Sequence, residues 1–186
     1  MSDVFQPYAQ ALIRFTPRIY GKRLKPLQIG HLAALECVGN PLAVGGVAET
    51  ADILQAVWLC SMPAHKALAA IDDARTERKL FWFASLNKTR DHAEARAEML
   101  AYWGYYVTSP KRWKDGKTHE LRAPVSWLMF WRLAGKRLPA DKEARAIWNT
   151  PVNEACCWIA VGHATEGDDS LVSEDEAEVI EELDNV

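Results

Sequence analysis

The chain has 186 residues, 49% of them hydrophobic, and a net charge of −3. That length fits one domain with a small appendage, and the apolar share excludes wholesale disorder. No apolar run approaches the length of a membrane-spanning helix, so no membrane partner is expected. The charge is unevenly spread. Residues 166–186 hold ten acidic and no basic side chains, leaving 22 basic against 15 acidic residues in the rest. The division reads as a mildly basic helical body, 1–165, carrying an acidic C-terminal helix or tail, 166–186.

Residues 1–26 are punctuated by Pro7, Pro17 and Pro26, with room for a short helix over 5–13. Ile19 to Leu24 carries Gly21 and two basic residues and reads as a loop or short edge strand. Leu27 to Val38 is the first clear helix, with Leu27, Leu32, Leu35 and Val38 near one face, and Gly39-Asn40-Pro41 stops it. Thr50 is placed to cap a helix over 51–62, whose apolar stripe of Ile53, Leu54, Val57, Trp58 and Leu59 predicts burial. Pro63 ends it. The longest predicted helix is 64–86, in which acidic residues precede basic ones and Leu80-Phe81-Trp82-Phe83 form an apolar block.

A further helix is predicted over 91–107, with Ala93, Ala97, Leu100 and Trp103-Gly104 near one face and Tyr102, Tyr105 and Tyr106 along a seam with their polar ends in water. After Thr108-Ser109-Pro110, the turn signal Asp115-Gly116 predicts a short hairpin. Pro124 starts a helix to Ala134 that is apolar nearly all round. Residues 140–148 and 151–161 form two more, the second offering Ala155, Trp158, Ile159 and Val161 for burial. Ser173 and Glu176 make a capping box for a last acidic helix, 174–183. The expected fold is therefore mainly α: one bundle of about six to eight helices with a short β-hairpin.

The inventory for chemistry is thin. Cys156 and His163 share a helical face, but the two-to-four-residue cysteine spacing of zinc sites is missing, and no metal or cofactor is expected. The cysteines (Cys37, Cys60, Cys156, Cys157) and five histidines show no local signature of thiol catalysis. Gly45-Gly46 lacks the Gly-Lys-Ser/Thr of a phosphate loop. Met1-Ser2-Asp3-Val4 opens without a secretory signal, which with thiols in apolar runs points to the cytosol. His31 falls in a first helical turn, where solvent or backbone would satisfy it. One segment stands out for binding: Lys111, Arg112, Trp113, Lys114 and Lys117, followed by Arg122, interleave cations with an indole, as contact with phosphates and an unpaired base would require. An acidic protein face would read it equally well, and an exposed lysine-rich loop is the plain structural alternative.

Two further segments carry a family resemblance. One runs Gly21-Lys22-Arg23-Leu24-Lys25-Pro26-Leu27-Gln28-Ile29-Gly30-His31-Leu32 through Leu35-Glu36 to Asn40-Pro41-Leu42. The other is Trp148-Asn149-Thr150-Pro151-Val152-Asn153-Glu154-Ala155, with Asp168-Asp169-Ser170-Leu171-Val172-Ser173-Glu174 beyond it. The arrangement resembles small proteins of phage and prophage structural operons, and more loosely the tail assembly chaperones of long-tailed phages. The resemblance implies a non-enzymatic assembly factor in the bacterial host cytosol, able to form homo-oligomers, that binds the tape measure protein, with other phage structural proteins as partners. It carries over no catalytic residue. The alternatives are a structural head–tail or tail component, and a nucleic-acid-binding regulator using Lys111–Arg122. Trp58, Trp82, Trp103, Trp127 and Trp131 are candidate anchors, although most are expected in the core. A detachable acidic C-terminal helix would shield a sticky surface until the partner arrives.

Overall fold

Gln28 opens the helix on which the rest of the molecule is assembled. The computed structural model describes residues 14–71, 73–87, 91–107, 124–135, 137 and 139–165. Among them, a hairpin of β1 (Arg18–Ile19) and β2 (Lys22–Arg23) precedes nine helices: α1 (Ile29–Cys37), α2 (Pro41–Val44), α3 (Thr50–Cys60), α4 (Ala64–Ala69), α5 (Ala74–Leu86), α6 (His92–Val107), α7 (Val125–Leu133), α8 (Asp141–Trp148) and α9 (Val152–Thr165). The protein is mainly α, as its periodicity predicts. No helix among the described residues is long and apolar enough to cross a membrane.

α1 is central because its sequence is small and apolar on every side. Residues 29–35 are all buried, and the helix packs against α2, α3, α4, α7, α8 and α9. Gly30 permits the closest approach. A Cβ there would lie 2.9 Å from the Ala64 Cβ of α4 and 3.2 Å from the Trp148 carbonyl oxygen at the end of α8. The helix stops as its residues dictate. Gly39 takes a positive φ of 66°, and the Gly39 and Asn40 amides donate to the Glu36 and Leu35 carbonyls, which satisfies two otherwise orphaned acceptors. Asn40, buried, caps α2 through its Oδ1, which accepts from the Leu42 amide at 3.1 Å. Its Nδ2 donates to the Asp52 carbonyl and to Gln55 Oε1, both at 2.9 Å, and so ties α2 to α3.

Two apolar clusters flank α1. The larger joins Leu32 and Leu35 to Ile53 and Val57 of α3 and to Met99, Tyr102 and Tyr106 of α6. The smaller gathers Ile29, Phe130, Ala134, Ile147 and Ala155, with Trp148 against them; Phe130 and Trp148 stack at 4.4 Å. The α7 end of that cluster is held by Glu36. Its carboxylate accepts from the Ser126 hydroxyl and amide, placing negative charge at the first turn of α7, where the helix dipole favours it.

The two segments that carry the family resemblance meet in space. The Ile29 amide donates to the Thr150 carbonyl at 3.0 Å, and the Val152 amide to the Leu27 carbonyl at 2.8 Å. Gln28 Nε2 adds a bond to the Asn149 carbonyl at 2.8 Å.

Several expectations are corrected. The predicted 64–86 helix is two helices, because the Ile71 and Asp73 amides leave the helical ladder for carbonyls three residues back, those of Leu68 and Ala70. Asp73 then stands just before α5, the position its short acidic side chain favours. The cap of α3 is Glu49, not Thr50: the Glu49 amide donates to Asp52 Oδ2 at 2.8 Å. On α6 the face of Ala93, Ala97, Leu100 and Gly104 is the exposed one, and Ala95, Met99, Tyr102 and Tyr106 are buried. The polar ends of Tyr102 and Tyr106 meet backbone, not water: their hydroxyls donate to the Lys25 carbonyl at 2.7 Å and the Phe15 carbonyl at 2.9 Å. α9 continues through Gly162, and its Trp158 and Val161 are exposed, not buried. The observed hairpin lies at residues 18–23. The predicted one at Asp115-Gly116 and the acidic helix 174–183 fall outside the described residues.

Candidate functional site

The hairpin divides two concavities and explains where each begins. Its loop is Tyr20-Gly21, with Ile19 facing Lys22. Both loop residues have positive φ, 48° and 75°, as a tight two-residue turn between right-twisted strands requires. Glycine adopts this freely; Tyr20 is held there by its contacts. Its ring meets Phe83 edge-on at 6.2 Å, and its hydroxyl lies 2.6 Å from His92 Nδ1. Burial, followed by the nearby Asp91 charge, raises the Tyr20 pKa. Successive strand residues point to opposite faces, so Lys22 lines one concavity and Arg23 the other.

The first concavity is an aromatic groove of about 630 Å³, walled by Tyr20, Lys22, Trp58, Lys79, Trp82, Phe83 and Leu86. Lys22 Nζ lies 4.9 Å above the Trp58 ring, a cation on an aromatic face. The outer wall is α5, where Phe81, Trp82 and Leu86 are 69%, 67% and 75% exposed. Tryptophan is used similarly elsewhere: none of the seven described tryptophans is buried, and Trp82, Trp127, Trp131 and Trp158 are exposed. This corrects the expectation that most of them build the core. Aliphatic side chains, Phe83, Phe130 and the tipped aromatics Tyr102, Tyr106 and His31 occupy it instead.

The second concavity, of about 640 Å³, is basic. Arg14, Arg23, Lys25 and His65 line it together with Thr16, Gln28 and Asn149. No carboxylate is among the described residues that line it. Its floor is well fixed. The Lys25 amide donates to the Cys60 carbonyl at 2.8 Å, while the Lys25 carbonyl accepts from Tyr102. An Arg23 guanidinium nitrogen lies 3.4 Å from Thr16 Oγ1.

The residues expected to bind a partner, Lys111, Arg112, Trp113, Lys114 and Lys117, lie outside the described residues, as does Arg122. The basic cleft escaped the sequence reading, although a signal exists. Between Asp3 and Glu36 there is no acidic residue, while Arg14, Arg18, Lys22, Arg23 and Lys25 all fall there. The glycine and prolines between them dilute the run to the eye.

Two thiols, Cys60 and Cys157, and His31 have structural surroundings. Burial pushes the Cys60 thiol up to about 12 and raises that of Cys157, which suppresses the thiolate a nucleophile needs. His31 is fully buried. Its Nε2–H donates to the Met62 carbonyl at 2.8 Å, and its Nδ1 accepts from the Gln28 amide at 3.2 Å. Burial lowers its pKa to about 4, against the opposing pull of the Met62 carbonyl. A proton on Nδ1 would confront the Gln28 N–H, so the neutral ring is the one the site accepts. Among the described residues no three His, Cys, Asp or Glu side chains stand together as a metal site would need.

Compared with known proteins, the chain matches no family model, no curated protein and no solved structure.

Proposed function

We propose that this protein is a non-enzymatic binding protein that grips a helical segment of another protein in the aromatic groove beside α5. The exposure of Trp82, Phe81 and Leu86 on one helix carries this reading. Large apolar side chains held in water are costly to leave uncovered, and tryptophan is the residue most enriched among those that dominate binding energy. Trp82 and Leu86 stand four apart, a spacing that presents a continuous ridge. An amphipathic client helix would lay its apolar side along that ridge, with its acidic residues toward Lys22 and Lys79.

Together with the resemblance of the Gly21–Leu42 and Trp148–Glu174 segments, this supports an assembly factor of a phage or prophage, and specifically a tail assembly chaperone whose client is the tape measure protein. Co-expression with the tape measure protein tests it. The chaperone is expected to co-purify with that client and to be absent from finished particles. Retention in the particle would instead make the protein a structural tail component, and failure to bind the tape measure protein would overturn the chaperone reading.

A further inference from the structure

We infer that the acidic segment 166–186 of this same chain docks in the basic cleft formed by Arg14, Arg23, Lys25 and His65. Three observations converge. The cleft gathers three permanent cations and an imidazole, with no carboxylate among its described lining. The segment holds ten carboxylates and no Lys or Arg, so it is the densest run of the opposite charge in the chain. Its attachment point suits the geometry. Pro151, at the start of α9, lines the cleft, and α9 carries the chain through 14 residues to Thr165, a path of about 21 Å. A segment of 21 residues spans up to roughly 70 Å when extended. It therefore has ample length to return along α9 and lay its carboxylates against Arg14, Arg23 and Lys25.

Docking of this kind gives the cleft a self-supplied polyanion. Another anionic ligand must displace the segment before it can enter. Because the contacts are ionic and near the surface, they weaken as the screening length falls below about 8 Å with added salt.

Zero-length carbodiimide coupling of the full chain, followed by peptide mass spectrometry of the monomer, tests the inference. Lys25 is the only lysine among the described residues that line the cleft, so it is expected to couple to a carboxylate of 166–186 at least fivefold more than exposed Lys142 does. The product should disappear in 0.5 M salt and in the variant Arg14→Glu/Arg23→Glu, which keeps Lys25 as reporter. Equal coupling at Lys25 and Lys142 would overturn the inference, and so would coupling found only between two copies. A second variant leaves the folded body untouched: all ten carboxylates of 166–186 changed to their amides. A fluorescent single-stranded oligonucleotide, as a probe polyanion, should bind this variant at least tenfold more tightly than the wild type. Equally tight binding to the wild type, lost on Arg14→Glu/Arg23→Glu, would assign the cleft to nucleic acid and sink the docked segment.

Discussion

The inner faces of α1, α3 and α6 and the outer faces of α5, α7 and α9 use aromatic chemistry in opposite ways. Inside, three buried rings with polar tips have backbone partners, Tyr102 on Lys25, Tyr106 on Phe15, and His31 on Met62 and Gln28, while Trp58 of α3 keeps its indole N–H buried with no hydrogen-bond partner among the described residues. Outside, Trp82, Trp127, Trp131 and Trp158 stand exposed. The difference teaches that this chain uses tyrosine and histidine to seal its core and leaves its largest apolar rings at the surface, where the proposed function would use them for contact. Inner substitutions should therefore cost stability, and outer ones should cost binding alone.

The largest expected effect is at His31. His31→Ala removes a fully buried ring and strands the Met62 carbonyl and the Gln28 amide, for a loss of about 4 kcal/mol in urea unfolding at pH 7. The loss shrinks with acid. With the folded pKa near 4 and the unfolded one about 6.5, the unfolded chain binds the proton first. The stability His31 contributes is whole above pH 6.5 and is lost as pH falls toward 4. At pH 4 the gap between wild type and His31→Ala should therefore narrow by about 3 kcal/mol. A gap independent of pH would contradict the neutral buried ring.

Gly30→Val comes next. Its branched side chain would collide with Ala64 Cβ and Leu68 of α4 and with the Trp148 carbonyl of α8. Overpacking at this crossing is expected to cost about 3 kcal/mol, read as a lowered denaturation midpoint. Asn40→Ala removes the cap of α2 and its two bonds to α3, for about 2 kcal/mol by the same measurement. A near-neutral result at either position would mean that the inner half is looser than its contacts indicate.

How much of this was legible in the sequence depended on the range of the forces involved. The end of α1 was readable because Gly39-Asn40-Pro41 acts locally, through one positive φ and one missing amide. The helices over 92–107 and 125–133 were readable from their punctuation. The face of α6 that is buried was not, since alanine at 93 and 97 tolerates water as readily as packing. The hairpin at Tyr20-Gly21 escaped because tyrosine rarely accepts positive φ, and what holds it, Phe83 and His92, lies more than 60 residues away. The break between α4 and α5 was hidden by the order of acidic before basic residues, which favours one continuous helix. The aromatic groove was half legible: Phe81-Trp82-Phe83 showed as an apolar block, but only the packing of Phe83 into the core reveals that Phe81 and Trp82 face out. The basic cleft takes His65 and Asn149 from distant parts of the chain, which no local pattern can join to Arg14 and Lys25.

The most direct test is the double variant Trp82→Ala/Leu86→Ala, assayed in one preparation for unfolding free energy and for affinity to the proposed client, the tape measure protein. Exposed positions predict a stability change within about 0.5 kcal/mol and a loss of affinity of at least tenfold. A protein that loses several kcal/mol of stability yet keeps its affinity would show that the α5 ridge belongs to the core and that the partner binds elsewhere.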